Sequence, residues 1–434
     1  MRSVRPTTNF FYPFFLLIAI LIFRQSASSQ DNSPYSRYGL GNTLPGQNIM
    51  NRGMGGLASA YADYNTVNFT NPASYAELKV TSFDIGLDYT SRTLRGTNPP
   101  RRYTSNNLVP SYFQLGLPLS KTKLWGMNIG LRPVTRINYD ILIKTRMQNV
   151  DSVNYNYSGT GGTYQAFTGF AYGNKVFNIG FNVGYMFGSK EYSTRLSFIN
   201  DTVFYKATNS SDSTRFGGLF INGGVQFKFK LANKVTMRLG AHGELKSQMR
   251  AVRNITRQTI DYSAANGTSV IDSIYKGDNE LGTIIYPATW GAGLIFQHET
   301  DWMFGAEVNY GRWSDYRYFG VTDNLVNNWT IRLGGQIIPN YQSESYWSRV
   351  AYRFGASFGP DNINLNKKVP QYSFSLGAGL PVRRNVYTNQ YTLINTSFEF
   401  GFRGNRENDL RENLFKLSLG LNLGDIWFNK PKYQ

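Results

Sequence analysis

The sequence predicts an all-β fold: a membrane β-barrel of about 14 antiparallel strands with an N-terminal plug, or hatch, inside its lumen. Apolar residues alternate with small or polar ones from about residue 80 to the end of the chain. The alternating segments are joined by connections that are short and long in turn, as in barrels of outer membranes. Apart from the apolar run at residues 10–23, no apolar stretch approaches the roughly 18 residues of a transmembrane helix.

Composition supports strands over helices. Of the 434 residues, 15% are aromatic, 43 are glycine, and only 17% are charged. Tyrosine, phenylalanine and glycine with few charges suit many strands joined by turns. The chain has no cysteine, which excludes disulfides, thiolate metal sites and a lipid-anchored cysteine.

The first residues have the features of a secretory signal peptide. Arg2 and Arg5 are followed by an apolar run over residues 10–23, broken only by a proline. Small residues at 27–29 supply a cleavage site, so Gln30 is the expected mature N-terminus. The run is too short for a membrane-spanning helix.

The stretch after the signal lacks the alternation of a strand. Residues 30–50 are polar and interrupted by glycine and proline, and residues 51–73 begin with a glycine-rich run. Only Met54 to Tyr61 could form a short helix. Such a segment cannot bury itself, so we expect the rest of the chain to enclose it. The predicted division is a signal peptide (1–29), a leader and hatch (30–78) and a transmembrane β-barrel (79–434).

The alternation is clearest between Phe177 and Phe187, where phenylalanine, isoleucine, valine and tyrosine share one face and asparagine and glycine share the other. An apolar face with aromatic residues near its ends, opposite a small or polar face, is typical of strands with lipid outside and a polar lumen inside. Fourteen such segments are predicted, near 80–92, 106–118, 124–138, 162–173, 176–188, 215–230, 234–247, 285–297, 302–313, 325–338, 349–359, 369–380, 391–403 and 413–424.

The connections alternate in length. Four tight polar turns, at 119–123, 173–175, 231–234 and 298–301, are separated by four long polar stretches, at 93–105, 139–161, 189–214 and 248–284. A soluble β-sandwich also alternates along its strands but has no reason to keep this layout. Parts of the long stretches alternate too, so strands could continue beyond the membrane.

The formal charge is +18, and three of these charges precede residue 30, where no acidic residue lies, so the mature chain carries +15. The basic residues are scattered, and many fall in the predicted loops. A surface that faces the anionic lipopolysaccharide of an outer membrane explains this better than nucleic acid does. No nucleic-acid partner is therefore expected.

Enzymatic function is not expected. The chain has only two histidines, His242 in a predicted strand and His298 in a predicted turn. No group of His, Asp and Glu has the spacing of metal ligands, and no Gly-Lys-Ser/Thr loop indicates a nucleotide site. The sequence thus predicts no cofactor, no metal and no catalytic residue.

The plug region resembles the FadL/TodX family of outer-membrane transporters for hydrophobic compounds. The resemblance is carried by Asn51-Arg52-Gly53-Met54-Gly55-Gly56, Ala62-Asp63, Asn68 and Asn71-Pro72-Ala73, with a barrel directly after them. It implies a fourteen-stranded barrel closed by an N-terminal hatch, in the outer membrane of a Gram-negative-type bacterium. The layout covers nearly the whole mature chain, but the motif covers only about 25 residues.

Elementary chemistry assigns roles to the hatch residues. Gly53, Gly55 and Gly56 permit positive φ angles and close backbone approach. Asp63 could cap its own turn or pair with an arginine of the lumen. The residue before Pro72 is restricted to extended conformations, which makes a turn towards the first strand. The alternative is a surface loop with a short helix.

Pro133 lies inside the third predicted strand. Proline cannot donate to a strand ladder, so it implies a local break in pairing. By resemblance, barrels of this family have a kink in the third strand that opens the wall sideways. We therefore predict a lateral opening at Pro133, flanked by Arg132 and Arg136. The alternative is that Pro133 lies at or above the membrane end of its strand and has no special role.

The resemblance implies passive uptake of hydrophobic compounds, such as long-chain fatty acids, by hatch-gated diffusion with lateral exit through the wall. The alternative is an accessory barrel of a protein-secretion apparatus that binds exported proteins or a translocon, and a structural or adhesion barrel is a third possibility. A continuous apolar path from the loops to Pro133 would favour transport. A sealed lumen with protruding strands would favour a protein partner.

Overall fold

The computed structural model describes residues 32–97, 100–120, 122–146, 148, 152–199, 205–264, 267–365, 367–382 and 391–425. They form a closed antiparallel β-barrel of 14 strands, with 72% of residues in strands and 6% in helices. The predicted fold class is confirmed. No helix within these residues is long and apolar enough to cross a bilayer.

The strand segments are β1 (Asn42–Thr43), β2 (Thr81–Thr97), β3 (Pro100–Pro118), β4 (Leu124–Arg146), β5 (Ser152–Gly173), β6 (Phe177–Phe198), β7 (Ala207–Lys230), β8 (Val235–Glu244), β9 (Ser247–Ala264), β10 (Gly267–Tyr286), β11 (Thr289–His298), β12 (Trp302–Gly311), β13 (Arg317–Tyr318), β14 (Asn328–Ile337), β15 (Ala351–Asn364), β16 (Lys368–Pro381), β17 (Tyr391–Arg403) and β18 (Leu410–Asp425). The one α-helix of the described residues, α1, is Ile49–Gly53, and 3-10 helices span Pro34–Arg37, Pro72–Glu77, Trp313–Asp315 and Trp347–Arg349.

The barrel closes where the last strand meets the first strand of the wall. β18 pairs with β2 from Asp425 opposite Thr81 to Leu410 opposite Gly96. Two neighbouring wall strands are each interrupted, so that β8 and β9 form one strand, and β10 and β11 form the next. The two-residue pieces β1 and β13 lie outside the fourteen. β8 pairs with residues 222–230 of β7, and β9 pairs with residues 207–217 of the same strand.

The two faces of the wall differ as the alternation predicts. On β6, Phe181 is 50% exposed on the outer face, whereas its neighbour Asn182 is 2% exposed on the inner face. Outward apolar side chains meet lipid, and inward ones meet a lumen filled by the hatch. The inner face therefore counts as buried although it is polar.

Several strands are far longer than a bilayer requires. β4 to β7 have 22 to 24 residues each, whereas about 9–11 residues cross a membrane. The long stretches at 93–105, 139–161, 189–214 and 248–284 are mostly strand, so their assignment to loops is wrong, and the alternative that strands continue beyond the membrane is confirmed. Above the membrane the outer face of a strand meets water instead of lipid, so this face is polar too, and alternation no longer reveals the strand.

The predicted helix at Met54 to Tyr61 is also wrong, because the helix lies earlier, at Ile49–Gly53. The Asn48 side chain accepts a hydrogen bond from the Asn51 N–H at 2.8 Å and caps the start. Two glycines with positive φ angles, Gly55 (71°) and Gly56 (85°), prevent the helix from continuing. The predicted signal peptide lies outside the described residues, and the division of the chain at residue 79 stays a prediction.

Candidate functional site

Arg52 of α1 clamps the hatch to the wall. Its side chain is 2% exposed. Nη1 lies 2.8 Å from Asp88 Oδ1 on β2, and Nε lies 2.7 Å from Glu399 Oε1 on β17. Nη2 donates to Ser418 Oγ on β18 at 2.8 Å. One guanidinium thus joins the hatch to both sides of the seam where the barrel closes.

The charges of this clamp are balanced. Burial alone would lower the pKa of Arg52, but the carboxylates of Glu399 and Asp88 outweigh burial and hold that pKa above its ordinary value. Lys416 of β18 is a second buried cation that interacts with the same two carboxylates. Two cations and two anions therefore share the site, and removal of any one would leave a buried charge uncompensated.

A second wall carboxylate holds the backbone of the hatch. Glu307 of β12 is 2% exposed, and its Oε2 accepts from the N–H groups of Ala58 and Ser59 at 2.7 Å each. Its Oε1 accepts from Arg332 Nη1 at 3.0 Å. His242 Nδ1 lies 3.0 Å from Ser59 Oγ. These contacts hold Ala58 and Ser59 of the hatch against the wall. No group of three or more possible metal ligands occurs in the described ranges.

Replacing Glu307 by glutamine should lower the free energy of unfolding by about 1–3 kcal/mol, because hydrogen bonds to a charged acceptor are lost and Arg332 keeps no anionic partner. Urea unfolding in detergent, followed by tryptophan fluorescence, measures this. The matched control is Glu299→Gln, since the Lys234–Glu299 pair is exposed and should change stability by less than about 1 kcal/mol. Equal effects at the two positions would contradict the role of Glu307.

The motif asparagines tie the hatch to itself. Asn71 Nδ2 donates to the Ser59 carbonyl at 2.5 Å, and its Oδ1 accepts from the Ala73 N–H at 3.1 Å. Asn71 thereby caps the 3-10 helix that starts at Pro72. Asn68 Nδ2 donates to the carbonyls of Ala58 and Tyr61 at 2.7 and 2.8 Å. These bonds satisfy backbone groups that no regular structure pairs.

Asp63 lies in the turn between these asparagines and the helix. It accepts from Tyr61 Oη at 2.9 Å and from the Asn65 N–H at 3.0 Å. The second bond makes an Asx turn. Within the described part of the chain, no arginine lies within ion-pair distance of Asp63, so its contacts are those of a turn cap.

The wall makes room for the hatch with glycines. A Cβ on Gly126 would lie 1.8 Å from the Tyr75 carbonyl oxygen, and a Cβ on Gly334 would lie 2.2 Å from that of Met54. A Cβ on Gly355 would lie 2.1 Å from the Gly55 nitrogen. The sequence shows the small inward faces, but it does not show that they match the path of the hatch. The number of glycines on the inward faces can be counted from the sequence, and it indicates that a segment inside the barrel packs closely against the wall.

The wall is divided between β3 and β4. These strands pair only from Phe113 opposite Leu131 to Pro118 opposite Gly126. Residues 100–112 of β3 and 132–146 of β4, on the outer side of these pairs, are not paired with each other. This gap in the wall is called the split from here on. Its β4 side is covered by the leader, residues 32–47.

The leader runs along the free edge of β4. β1 pairs with it through Thr43 opposite Thr135 and Asn42 opposite Arg136. The Leu44 N–H donates to a β4 carbonyl at 2.8 Å, as does the Ser33 N–H at 2.9 Å. The leader thus acts as an added strand on an otherwise open edge.

The three residues of the predicted lateral opening meet at the bottom of the split. Pro133 pairs with β5, and the register shifts between Pro133 and Thr135. Arg132 donates to Gln165 Oε1 at 3.0 and 2.8 Å and to the carbonyl of Gly46 in the leader at 3.2 Å. Arg136 lies opposite the leader residue Asn42. About ten residues of a strand cross a membrane, and Pro133 is the tenth residue of β4 when counted from its inner end, Leu124. By this count Pro133 lies near the outer end of the membrane span.

The outer part of the leader is fixed by contacts that the sequence analysis did not predict. Ser33 Oγ donates to Glu412 Oε1 at 2.6 Å, and Lys190 Nζ donates to the Gly39 carbonyl at 3.1 Å. Arg92, the last residue of the first predicted strand, is a buried residue of β2 whose Nη1 lies 3.1 Å from Glu412 Oε2. No sequence pattern reveals these contacts, because the partners are up to 379 residues apart.

Two cavities lie on opposite sides of the hatch. The outer one, of about 460 Å³, is lined by Arg52, Arg132 and aromatic residues of the rim. The inner one, of about 620 Å³, is lined by Met50, Tyr61, Arg353 and other residues near the turns. Residues of the hatch line both cavities, Arg52 the outer one and Met50 and Tyr61 the inner one, so the hatch lies between the two.

Comparison with solved structures finds the same fold. The Pseudomonas putida toluene transporter TodX is 16% identical, with 89% of this chain and 100% of that chain covered at a TM-score of 0.61. A Pseudomonas aeruginosa FadL homologue is 12% identical (90% and 100% covered, TM-score 0.57), and the Ralstonia pickettii toluene transporter TbuX is 12% identical (88% and 99%, TM-score 0.56). The resemblance to FadL and TodX is confirmed. At these sequence identities the similarity shows the fold alone. The three similar proteins are two transporters and a FadL homologue, and none of them is an enzyme.

No curated protein matches the sequence. The family model described as BamG matches residues 10–434, nearly the whole chain. By this match the chain belongs to the BamG family.

Proposed function

We propose that this protein is an outer-membrane channel for passive uptake of hydrophobic compounds, such as long-chain fatty acids, and that they leave sideways through the inner end of the split, beside Pro133. The observation that carries the proposal is an apolar cluster beside the split. Phe69 of the hatch, Tyr112 of β3, Val134 of β4 and Phe167 of β5 are buried together, with Leu40 of the leader in the same cluster. The similar structures of TodX and TbuX, which are toluene transporters, support this substrate class.

The cluster is an apolar slot that the chain fills with its own side chains. A hydrophobic ligand could replace Leu40 and Phe69 there, since each buried CH₂ contributes about 0.8 kcal/mol. The leader is held by hydrogen bonds, to β4 and through Ser33 and Gly39, whereas α1 is held by buried ion pairs. The leader is therefore the segment that moves in this proposal, and α1 stays in place.

A disulfide between the leader and β4 should stop uptake. Thr43 and Thr135 are opposite each other on antiparallel strands, a spacing that suits a disulfide, and the chain has no competing cysteine. We expect oxidised Thr43→Cys/Thr135→Cys to take up a fluorescent long-chain fatty acid into cells at least about tenfold more slowly than the same variant after reduction.

The matched control is Ala378→Cys/Thr396→Cys. These residues are opposite each other on β16 and β17, which are paired throughout. Oxidation of this pair should leave uptake unchanged. Equal uptake by the oxidised and reduced leader variant would contradict a leader-gated channel.

A second candidate function is that of an accessory barrel that binds exported proteins or a translocon. It is favoured by the position of the hatch between the two cavities, together with strands that extend well beyond the membrane. Mass spectrometry of compounds extracted from the purified barrel separates the two. A defined apolar compound whose occupancy changes in Pro133→Val supports uptake, whereas an empty barrel that co-purifies with a protein supports the accessory role.

A further inference from the structure

We propose that the part of β3 that borders the split binds an acidic, extended polypeptide segment of a partner protein as an added β-strand. The site, residues 101–110, is named the β3 edge. This interaction goes beyond hydrophobic uptake and requires neither the hatch nor the lumen.

The backbone of the β3 edge is held as a strand on one side only. β2 pairs with β3 as far as Thr97 opposite Pro100. On the other side, pairing with β4 stops at Phe113, and no other strand of the described ranges pairs with the β3 edge there. An open strand edge is a template for an incoming extended chain.

The opposite side of the split shows that such an edge accepts a strand. There the leader supplies β1, which pairs with β4 at Thr135 and Arg136. Among the described residues, the Asn32 N–H of the leader donates to Ser105 Oγ of β3 at 3.4 Å. The described residues therefore place a strand on the β4 side of the split and none on its β3 side.

The β3 edge also lies outside the bilayer. About ten residues of a strand cross the membrane, and Pro118 is the inner end of β3. Counting outward, the span ends near Val109. Residues 101–108 therefore extend into the medium, where the chain of another protein can reach them.

The charges around the β3 edge select an acidic segment. Residues 100–113 contain Arg101 and Arg102 and no acidic residue, and residues 132–146 contain one aspartate, Asp140. Five cations here are exposed, and no carboxylate of the described residues lies within 4.0 Å of them: Arg95, Arg101, Arg102, Lys144 and Arg146. A strand with acidic side chains would face them across the backbone bonds.

The test uses fluorescent ten-residue peptides and the purified full chain in detergent, read by fluorescence anisotropy. We expect an acidic alternating peptide, (Glu-Val)₅, to bind at least about tenfold more tightly than (Lys-Val)₅. A (Glu-Val)₅ analogue with two internal valines replaced by proline keeps the charge but loses strand pairing. We expect it to bind at least about tenfold more weakly than the parent peptide.

Charge reversal locates the site. Arg101→Glu/Arg102→Glu should weaken (Glu-Val)₅ binding about tenfold or more. The control, Lys175→Glu/Lys230→Glu, makes the same change of charge at exposed residues near the other end of the barrel and should retain binding. A (Glu-Val)₅ peptide with one cysteine should form a disulfide with Leu108→Cys and not with Val176→Cys, both at exposed positions.

Three outcomes would overturn the proposal. Equal binding of the proline analogue would show a site for any polyanion, with lipopolysaccharide phosphate as the natural ligand. Equal loss in the two charge-reversal variants would show a non-specific effect of net charge. Absence of (Glu-Val)₅ binding to the wild-type chain would show that the β3 edge does not accept an acidic strand.

Discussion

Replacing Arg52 by alanine should lower the free energy of unfolding by about 3–5 kcal/mol, because Asp88 and Glu399 would remain buried without a partner on the hatch. The hatch should also lose its attachment to the seam where the barrel closes. Urea unfolding in detergent measures the first effect. Limited proteolysis measures the second, since cleavage in residues 48–78 should become faster.

Two further variants separate the charge effect from lost packing. Arg52→Ala/Asp88→Asn leaves one cation, Lys416, with one anion, Glu399, so the charges balance again and part of the lost stability should be recovered. Arg312→Ala breaks an exposed ion pair at 3.2 Å and should change stability by less than about 1 kcal/mol. Wild-type stability of Arg52→Ala would show that the ion pairs contribute nothing to holding the hatch.

Replacing Gly355 by alanine should displace the hatch from the wall. The new Cβ would lie 2.1 Å from the nitrogen of Gly55, a contact that neither backbone can keep. Gly55 itself has a positive φ angle of 71° and cannot easily adjust. We expect a loss of about 1–3 kcal/mol from overpacking, together with a larger single-channel conductance in planar bilayers.

Gly223 provides the matched control, because its Cβ would have no neighbour nearer than 3.9 Å. Gly223→Ala should therefore leave conductance and stability close to wild type. If both alanine variants conduct alike, close fit between the hatch and the wall glycines is not what closes the lumen.

Much of the fold can be predicted from the sequence, because the wall obeys a single local rule. The alternation between Phe177 and Phe187 gives the direction of each side chain, and the structure has the same two faces on β6. The rule fails above the membrane. There β4 to β7 continue with polar residues on both faces, so the strand ends were misjudged.

The hatch could be recognised but its attachments could not. Arg52 and Asn71 belong to a short motif within one stretch of chain. Their partners do not: Arg52 meets Glu399, which is 347 residues away, and the hatch backbone meets Glu307. A buried ion pair between distant residues leaves no period or spacing in the sequence.

The split shows the same contrast. Pro133 is visible as a residue that cannot donate to a ladder, and the register does shift beside it. The strand that lies against β4 could not be predicted, because β1 contains only Asn42 and Thr43. The lateral-opening role of Arg132, Pro133 and Arg136 stays a prediction that the disulfide experiment addresses.

The position of the Arg52 clamp has a consequence for the kinetics of assembly. The hatch is translated before the wall, yet its guanidinium needs Asp88 from the first wall strand and Glu399 from the last but one. Contacts between such distant parts of a chain form slowly, since loop-closure entropy opposes them. The clamp can therefore form only after both ends of the sheet have met, so a seated hatch marks a barrel whose closure is complete.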